Sequence, residues 1–598
     1  MKTIIMTALS TLFGLTSLAA SATEFEPFQT YTRPALPLNG EWKIIVDPYE
    51  NGYYNYRYEP FDQMDNPPRS AYFRDAKPRH SGELIEYDFD ASESLTVPGD
   101  WNTQKEKLYY YEGSIWYRKL FNAPTTEGKQ RTFLHFSAAN YRADVYLNGE
   151  KLGHHVGGFT PFYFETTGKL KPQNNSLVVK VDNRRERDGV PTLNTDWWNY
   201  GGITRSVRLL VTPEVFVRDY KIQLNDHKTG ELSGYAVVDG AGAGREVRLT
   251  LPQLNIDVRA TTNAEGIATF SAQAVGAQLW SPDSPRMYQV IVRTGNDRLD
   301  DEVGLRTIEA EGKQLLLNGK PVFLRGISLH EEYAVDGGGR VTSVEEARKQ
   351  LQWARDLNAN FVRLAHYPHN EHIVRLADQL GVMLWSEIPV YWTINWDSEE
   401  TYQNAQAQLE EMIGRDKNRA SIIIWSLANE TPVSEARNRF LTRLADRARS
   451  LDSSRLISAA MEKHYDPENP ERAIVEDPLA GHLAHTLRQA GVYQRVRSRC
   501  QAGPAGRLQH PLDRGLSGRV VPQNPGYARQ DRWFCRYLTL DSGGFPLAAS
   551  YAAGSSGRLQ PQGPAVRNRR TQGGLWRAPR ILSSARSGAG HCGKGRTE

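Results

Sequence analysis

After Leu315 the sequence alternates between short apolar runs and amphipathic helical segments, with about 30 residues per repeat. The apolar runs contain few polar residues, as expected for strands that are covered on both faces. Five such runs are visible: Val322–His330, Phe361–Tyr367, Val382–Ile388, Ile422–Glu430 and Leu456–Glu462. This alternation predicts a (β/α)8 barrel, of which residues 309–480 supply five of the eight units.

The first helix of this barrel is predicted to begin after Ser343. The Ser343 side chain can cap the helix, and Glu346 stands three residues later, as in a capping box. The apolar residues of this segment recur at helical spacing and are expected to form one buried face: Val344, Ala347, Leu351, Ala354 and Leu357.

The preceding residues predict two β-sandwiches, so the expected fold class is multidomain, β followed by α/β. Residues 30–213 contain β-type runs such as Arg131–Phe136, Ala143–Leu147 and Ser176–Val181, which favour a jelly-roll-like sandwich. Asn148-Gly149 predicts a hairpin turn because both residues tolerate a positive φ. Residues 214–308 predict a smaller, immunoglobulin-like sandwich from runs such as Glu246–Leu251, Gly266–Phe270 and Tyr288–Val292.

Residues 1–22 are typical of a signal peptide. Lys2 precedes an apolar run from Ile4 to Leu18, and Ala20-Ser21-Ala22 fits a signal-peptidase site. We therefore expect export to the periplasm or the medium; a buried core strand is the alternative. No later stretch has the roughly 18 consecutive apolar residues that span a bilayer, so no membrane association is expected.

Residues 481–598 differ from the rest in composition. They hold 18 Arg, one Lys, four acidic residues and all three cysteines, Cys500, Cys535 and Cys592. The cysteine spacing favours neither a disulfide framework nor a metal site. One interpretation is a disordered basic arm that binds nucleic acid. We favour the other, a change of reading frame after Ala480 that replaces the end of the barrel with an aberrant tail, and we expect no nucleic-acid partner.

Polar residues at the carboxyl ends of the barrel strands are the candidate functional groups, because barrel enzymes place their active sites there. The strongest case is Asp416–Glu430, in which a buried strand ends in Asn429-Glu430, with Trp385 and Trp425 expected around the carboxylate. The alternative role for Glu430 is a structural ion pair with Arg363 or another base.

Several motifs together resemble glycoside hydrolase family 2 over about residues 30–480. Asp416–Glu430 and Asn360–Pro368 resemble the two signatures of this family. Further similar segments are Val97–Trp101, Gly113–Lys119, Asp196–Arg205, Leu279–Tyr288, Gly304–Arg306, Leu317–Lys320 and Gly326–Glu331. The resemblance implies a retaining exo-β-glycosidase that needs no metal or cofactor and acts on a carbohydrate.

The resemblance also implies roles for individual residues. Glu430 is the general acid/base, and Asn429 binds the 2-hydroxyl of the sugar. His330 and His366 line the subsite for the terminal sugar, although either one alone also fits a hydrogen-bonded core histidine. Asp196 reaches a sugar hydroxyl from the first sandwich; its alternative is a turn residue that caps a Trp197-Trp198 strand. Arg363 and Glu387 form a supporting pair that orients the site.

The expected nucleophile is missing from the pattern. A retaining glycosidase needs a second carboxylate about 5 Å from the first, and the family places it on the seventh strand. No glutamate occurs between Glu476 and Glu598, and Asp513, Asp531 and Asp541 end no plausible strand; Glu462 is a poor substitute because its strand is adjacent to that of Glu430. We therefore expect the chain as written to be inactive. For the activity that the resemblance implies, we favour a β-glucuronidase-like over a β-galactosidase-like one. The alternative is a non-catalytic carbohydrate-binding protein with a degenerate barrel, and a homo-oligomer is left open.

Overall fold

The structure is a computed structural model that describes residues 26–83, 85, 87–125, 129–312, 314–333, 338–461 and 479. The predicted leader at residues 1–22, the tail at residues 481–598 with its three cysteines, and Glu462 lie outside the described residues. The first four apolar runs, the fifth as far as Met461, the strands of both sandwiches and all seven predicted site residues lie within them.

The first sandwich consists of two antiparallel sheets that enclose one apolar core. The larger sheet has strand order β3-β2-β4-β9-β6-β7, and the smaller has β1-β10-β5-β8. Its strands are β1 Ala35–Pro37, β2 Gly40–Val46, β3 Ser94–Val97, β4 Ser114–Phe121, β5 Gln130–Phe136, β6 Arg142–Leu147, β7 Glu150–Val156, β8 Phe162–Glu165, β9 Asn175–Asp182 and β10 Val207–Pro213. Helix α1, Trp101–Gln104, and short 3-10 turns at Phe61–Gln63, Tyr72–Arg74 and Glu106–Leu108 complete this part.

The hairpin predicted from Asn148-Gly149 is confirmed. Both residues adopt positive φ angles, 55° and 86°, and Leu147 pairs with Glu150 across the turn. The inward residues of β6 and its neighbour β9, such as Val145 and Val179, are completely buried in the sandwich core. The alternation that marked these runs as strands therefore also defines the core.

The second sandwich is smaller and packs its two sheets over a separate core. The sheets have strand orders β11-β12-β15 and β14-β13-β16-β17. The strands are β11 Phe216–Asp226, β12 Glu231–Asp239, β13 Glu246–Leu251, β14 Ile256–Thr261, β15 Ile267–Gln273, β16 Tyr288–Thr294 and β17 Asp297–Val303, with a 3-10 turn at Pro252–Leu254.

The parallel sheet predicted after Leu315 is present, and five strands lie in sequence order within the described residues. A three-stranded antiparallel sheet precedes it, formed by β18 Ile308–Glu311, β19 Gln314–Leu317 and β20 Lys320–Pro321. The parallel strands are β21 Gly326–Leu329, β22 Phe361–Leu364, β23 Met383–Glu387, β24 Ile422–Thr431 and β25 Leu456–Met461. The connecting helices are α2 Val344–Asp356, α3 Glu371–Leu380, α4 Glu399–Asp416 and α5 Glu435–Leu451.

The start of helix α2 agrees with the prediction. The Ser343 hydroxyl accepts a hydrogen bond from the Glu346 backbone N–H, and the Glu346 carboxylate accepts one from the Ser343 backbone, so the capping box is complete. The predicted buried face is wrong at its end: Leu357 is 43% exposed, because the helix stops at Asp356 and the chain turns away.

Two predicted barrel strands are shorter than expected. The first half of Val322–His330 belongs to the preceding antiparallel sheet, since the Val322 N–H donates to Leu315 O, and Phe323 is largely exposed. The run Phe361–Tyr367 leaves the sheet after Leu364. These differences place His330 and His366 just beyond the ends of their strands, in loops rather than in the sheet.

The two faces of the parallel sheet pack against different layers. Leu384, Ile422 and Ile457 lie in the core under the helices. Met383 and Ile424 lie on the other face, where the β18–β19 hairpin contributes Leu315 and Leu317. Among the described residues, no helix is both long enough and apolar enough to span a bilayer.

Candidate active site

The polar residues at the carboxyl ends of the barrel strands converge in the structure. His330 follows β21 and His366 follows β22, while Glu387 ends β23 and Asn429-Glu430 lie at the end of β24. Because parallel strands point the same way, their carboxyl ends share one edge of the sheet. Asp196, from a loop of the first sandwich, joins this group.

Glu430 is the accessible carboxylate at the end of β24. Its Oε2 atom accepts a hydrogen bond from Trp392 Nε1 at 3.2 Å, and Trp392 is itself 37% exposed. The residue has a positive φ of 48°, at a point where the pairing of β24 with β25 shifts register between Asn429 and Thr431. No base forms an ion pair with Glu430 within the part of the chain that the structure describes, so the predicted alternative of a structural pair with Arg363 is not what the structure shows.

The expectation that Trp425 lies near the Glu430 carboxylate is wrong. Trp425 packs in the layer under the helices and donates from Nε1 to Asp452 at 2.9 Å. Side chains alternate across a strand, and the Trp425 ring falls on the helix side. Trp385 lies on the other face, where the Arg363 guanidinium sits 4.9 Å from its ring. The indole that contacts Glu430 belongs to Trp392.

Arg363 connects the ends of three strands. Its Nη2 donates to Glu387 Oε1 at 2.8 Å and to Asn429 Oδ1 at 2.6 Å, and its Nε donates to Glu387 Oε2 at 3.2 Å. A planar guanidinium with several donors fixes the orientation of both partners. The Asn429 amide is thus locked beside the Glu430 carboxyl.

Glu387 is completely buried, and both of its oxygens are occupied. Besides Arg363, it binds His366 Nδ1 at 2.8 Å and the Ser426 hydroxyl at 2.7 Å. Burial alone would raise the pKa of Glu387, but the Arg363 charge and the hydrogen bonds outweigh burial and hold the pKa below its usual value. Glu387 therefore stays ionised and has no free lone pair facing the site.

His330, His366 and Asp196 meet in front of this network. One ligand atom from each of the three lies within 4.8 Å of the others. His330 Nδ1 is 3.4 Å from the Tyr367 hydroxyl, and Trp197, the residue after Asp196, packs 5.9 Å from the His366 ring. Burial, followed by repulsion from His366, lowers the pKa of His330 to about 4. His330 is therefore neutral at neutral pH and can both donate and accept hydrogen bonds.

The spacing of these three side chains would also admit a divalent metal ion, which the sequence did not predict. His366 Nδ1, however, already contacts Glu387 and Arg363, so only its other ring nitrogen faces the group. The alternative in which Asp196 caps a Trp197-Trp198 strand is wrong, because residues 191–200 form no strand.

Several residues of the site were not predicted from the sequence. Trp392 lies in the loop after β23, 38 positions from Glu430, and Tyr391 links it to the site with ring centroids 4.9 Å from His366. The Trp197 ring packs 5.0 Å from Tyr391. The cluster of aromatic residues in this loop, Tyr391-Trp392 and Trp396, was the available signal.

The arrangement brings together one carboxyl group without an ion-pair partner among the described residues and several hydrogen-bonding side chains. Glu430 can protonate an oxygen, while Asn429, Asp196 and the two histidines can bind hydroxyl groups. The described carboxylates do not include an assigned nucleophile, because Glu387 is enclosed by its partners.

Family models for glycosyl hydrolases family 2 match the chain in three consecutive segments. The sugar binding domain matches residues 38–213, the central domain residues 215–306, and the TIM barrel domain residues 308–477. These segments coincide with the two sandwiches and the parallel sheet.

Sequence relatives fall into two kinds. A β-glucuronidase of Paenibacillus borealis is 27% identical over 472 residues, which cover 72% of this chain and 74% of that protein. A β-galactosidase of Thermoanaerobacter pseudethanolicus is 28% identical over 402 residues, covering 63% and 53%. A Formosa agariphila relative is 31% identical over 405 residues, covering 62% of this chain, and the chain spans 48% of its length.

Solved structures with the same fold include two β-glucuronidases. The enzyme of Bifidobacterium dentium, complexed with coumarin-3-O-glucuronide, superposes with a TM-score of 0.64 at 25% identity and covers 75% of this chain and 77% of its own. The enzyme of Ruminococcus gnavus in complex with D-glucuronic acid gives a TM-score of 0.61 at 27% identity, with 73% and 74% covered.

Proposed function

Because the chain belongs to glycoside hydrolase family 2, we propose that it is an exo-acting β-glycosidase that binds a terminal β-linked uronic acid. Glu430 is the general acid/base of this proposal. The observation that carries it is the environment of Glu430, a partly accessible carboxylate near the end of β24. It accepts a hydrogen bond from Trp392, forms no ion pair among the described residues and follows Asn429, whose amide Arg363 fixes.

The proposed chemistry assigns one step to each group. The Glu430 carboxyl donates its proton to the bridging oxygen as the bond to the anomeric carbon breaks, and the leaving alcohol departs neutral. Asn429 binds the 2-hydroxyl, a contact that strengthens as positive charge develops on the sugar ring. Asp196, His330 and His366 bind the hydroxyls of the terminal ring and exclude other orientations.

Retention of configuration needs a carboxylate on the other face of the sugar, to form and then release a glycosyl-enzyme. We propose that the described residues bind and protonate the substrate but do not supply this nucleophile. In the family it belongs to the seventh barrel strand, and β25 is the fifth in the described part of the chain. Substrate binding without turnover is therefore the expected behaviour.

The preference for a uronic acid is supported by the relatives rather than by a group seen to bind the carboxylate. β-Glucuronidases of Paenibacillus borealis, by sequence, and Ruminococcus gnavus, by structure, match this chain over about three quarters of their lengths. The β-galactosidase of Thermoanaerobacter pseudethanolicus shares about half of its length, and β-galactosides are the second substrate class.

A non-catalytic carbohydrate-binding role is the alternative function. One observation favours it: Glu387, a second strand-end carboxylate on the strand next to that of Glu430, is fully buried and bound to three side chains. The site would then retain the hydroxyl-binding groups and the Glu430 carboxyl without a partner for covalent catalysis.

Two measurements on the full chain test the proposal. Titration with methyl β-D-glucuronide and methyl β-D-galactoside should show binding of both with a preference for the former, and Asp196→Ala should weaken both. Incubation with 4-nitrophenyl β-glycosides should release less than one equivalent of nitrophenol. Preference for the galactoside, or equal binding of a β-xyloside that lacks C6, would contradict the uronic acid assignment. Steady turnover would show that the chain contains a nucleophile.

We also propose that the chain is exported. The support is the sequence of residues 1–22, with its apolar run and Ala20-Ser21-Ala22. Expression in a bacterium followed by N-terminal sequencing of the periplasmic protein should give a start near Thr23. Recovery of an intact Met1 terminus from the cytoplasm alone would contradict export.

A further inference from the structure

Three aromatic side chains of the first sandwich, two of them exposed and Trp198 half-buried, form a cluster that the proposed chemistry does not use. Tyr109 and Tyr110 follow the 3-10 turn Glu106–Leu108, and Trp198 lies in the loop that carries Asp196. The ring centroids of Tyr109 and Trp198 are 4.8 Å apart, those of Tyr110 and Trp198 5.7 Å, and those of the two tyrosines 4.8 Å. We refer to these three residues as the aromatic platform.

The platform is open to solvent. Tyr110 is 83% exposed and Tyr109 is 43% exposed, whereas most aromatic residues of this sandwich are buried in its core. Single exposed aromatic side chains are common on protein surfaces. Three rings in mutual contact instead form an apolar patch, which is a feature of binding sites. Among the described residues, no Lys or Arg side chain lies over any of the three rings, so their faces are not covered by a cation.

The platform continues the wall of the candidate active site. Trp197 packs against His330 and His366, and Trp198 is the next residue. The Trp198 backbone amide also lies against the carboxylate of Glu332, two residues after His330. The exposed rings are therefore held at the rim of the pocket that would take the terminal sugar.

The chemistry of the aromatic platform favours the binding of a sugar ring. A pyranose has an apolar C–H face bordered by hydroxyls, and flat rings with hydroxyl or indole edges match both parts. A stable protein interface buries about 800 Å² per partner, far more than three side chains offer. A second sugar that extends outward from the terminal residue would reach the rim.

We propose that the aromatic platform binds the second and third sugars of a β-linked oligosaccharide, on the leaving-group side of Glu430. This inference rests on the proposed function, because it places the terminal sugar in the pocket of His330 and His366. It also narrows the substrate class from glycosides in general to the ends of oligosaccharide and polysaccharide chains.

The test compares a long and a short ligand on the full chain by isothermal titration. The long ligand is a hyaluronan tetrasaccharide with glucuronic acid at its non-reducing end, and the short one is methyl β-D-glucuronide. The wild-type chain should bind the tetrasaccharide about tenfold more tightly, a gain typical of a stacked aromatic contact. Tyr110→Ala and Trp198→Ala should each remove most of this gain and leave the short ligand unaffected.

Tyr56→Ala is the matched control, since Tyr56 is 84% exposed on the same sandwich and contacts none of the three platform rings. Tyr110 is largely exposed, so its replacement does not disturb the core even if the Trp198 variant fails to fold. Unchanged tetrasaccharide affinity in Tyr110→Ala would overturn the platform while leaving the proposed function intact.

Two further outcomes separate the proposals. If the platform variants weaken binding of 4-nitrophenyl β-D-glucuronide but not of the tetrasaccharide, the rings hold an aryl leaving group and the oligosaccharide assignment is wrong. The wild-type chain could also bind the tetrasaccharide through the platform and not bind methyl β-D-glucuronide. That result would support the aromatic platform and contradict the proposed binding of a terminal uronic acid.

Discussion

At the scale of single residues, two glutamates that end neighbouring strands are given different chemistry by their surroundings. Glu387 is enclosed by Arg363, His366 and Ser426, which hold it ionised. Glu430 accepts a hydrogen bond from one neutral donor, the Trp392 indole. The first is suited to fixing other groups, and the second is free to exchange a proton with a ligand.

Replacing Glu430 by Gln should slow hydrolysis most for substrates whose leaving group must be protonated. General acid catalysis contributes about 10²- to 10⁴-fold, and an activated phenolate leaves without it. In a chain whose barrel is completed with strands from an active relative, we expect kcat on methyl β-D-glucuronide to fall at least 100-fold. The loss on 2,4-dinitrophenyl β-D-glucuronide should be under tenfold. Equal losses on both substrates would assign Glu430 another role.

The histidine pair gives a prediction that needs no turnover. Burial and the neighbouring His366 lower the pKa of His330 to about 4, so its imidazole should titrate near pH 4 rather than near 6.5. NMR spectra of ¹³C-histidine-labelled protein, with His330→Asn to assign the signal, would locate the midpoint. His366→Asn should raise the midpoint only partly, because burial is the larger cause. A midpoint near 6.5 in the wild-type chain would contradict this description of the pocket.

At the scale of elements, helix α2 shows how a local signal fixes one boundary of the barrel. Ser343 and Glu346 satisfy each other's backbone groups at the helix start. Ser343→Ala should lower the free energy of unfolding by about 1 kcal/mol, the usual cost of losing a cap. Urea unfolding followed by circular dichroism would measure the difference. Gln352→Ala, on the exposed face of the same helix, is the control and should change stability by less than about 0.5 kcal/mol.

The elements and the site differ in how far the sequence predicts them. Glu246–Leu251, the Asn148-Gly149 turn and the Ser343 cap follow from local patterns, because their causes lie within a few residues. The contact of Trp392 with Glu430 joins positions 38 apart, and only the packing of loops after β23 and β24 brings them together. The sequence also could not predict which layer the Trp425 side chain enters, because the four residues Ile422 to Trp425 are all apolar and show no alternation.

At the scale of the whole molecule, buried charges join the sandwiches to the barrel. Arg205 of the first sandwich binds Glu331 at 2.7 Å, and both side chains are almost completely buried. Asp219 of β11 pairs with Lys417 in the same way, and His155 Nε2 lies 2.9 Å from Glu411 Oε1 of α4. A buried pair costs desolvation, so its contribution to orientation exceeds its contribution to stability. These contacts join both sandwiches to the barrel.

The most connected of these charges is Asp301 of β17, which accepts from Arg375 of α3, from Arg419 and from the Tyr220 hydroxyl, each at 2.7 Å. Asp301→Asn removes the carboxylate that two buried guanidinium groups share, and leaves Arg375 with Glu371 and Arg419 with Asp378 at 3.5 Å. We expect a loss of about 3 kcal/mol at pH 7. Burial alone would raise the pKa of Asp301, but Arg375 and Arg419 outweigh burial and lower it. In the folded protein the Asp301 carboxylate therefore stays ionised at pH values where the unfolded chain is already protonated. Its contribution to the free energy of unfolding is full above about pH 4 and declines below that pH. Urea unfolding at pH 7 and pH 3 should show a smaller stability difference between wild type and Asp301→Asn at pH 3.

Asp300→Asn is the control, because the Asp300 side chain pairs with the exposed Arg298. This variant should change stability by less than about 0.5 kcal/mol. If both variants lose the same small amount, the second sandwich is not held to the barrel by Asp301.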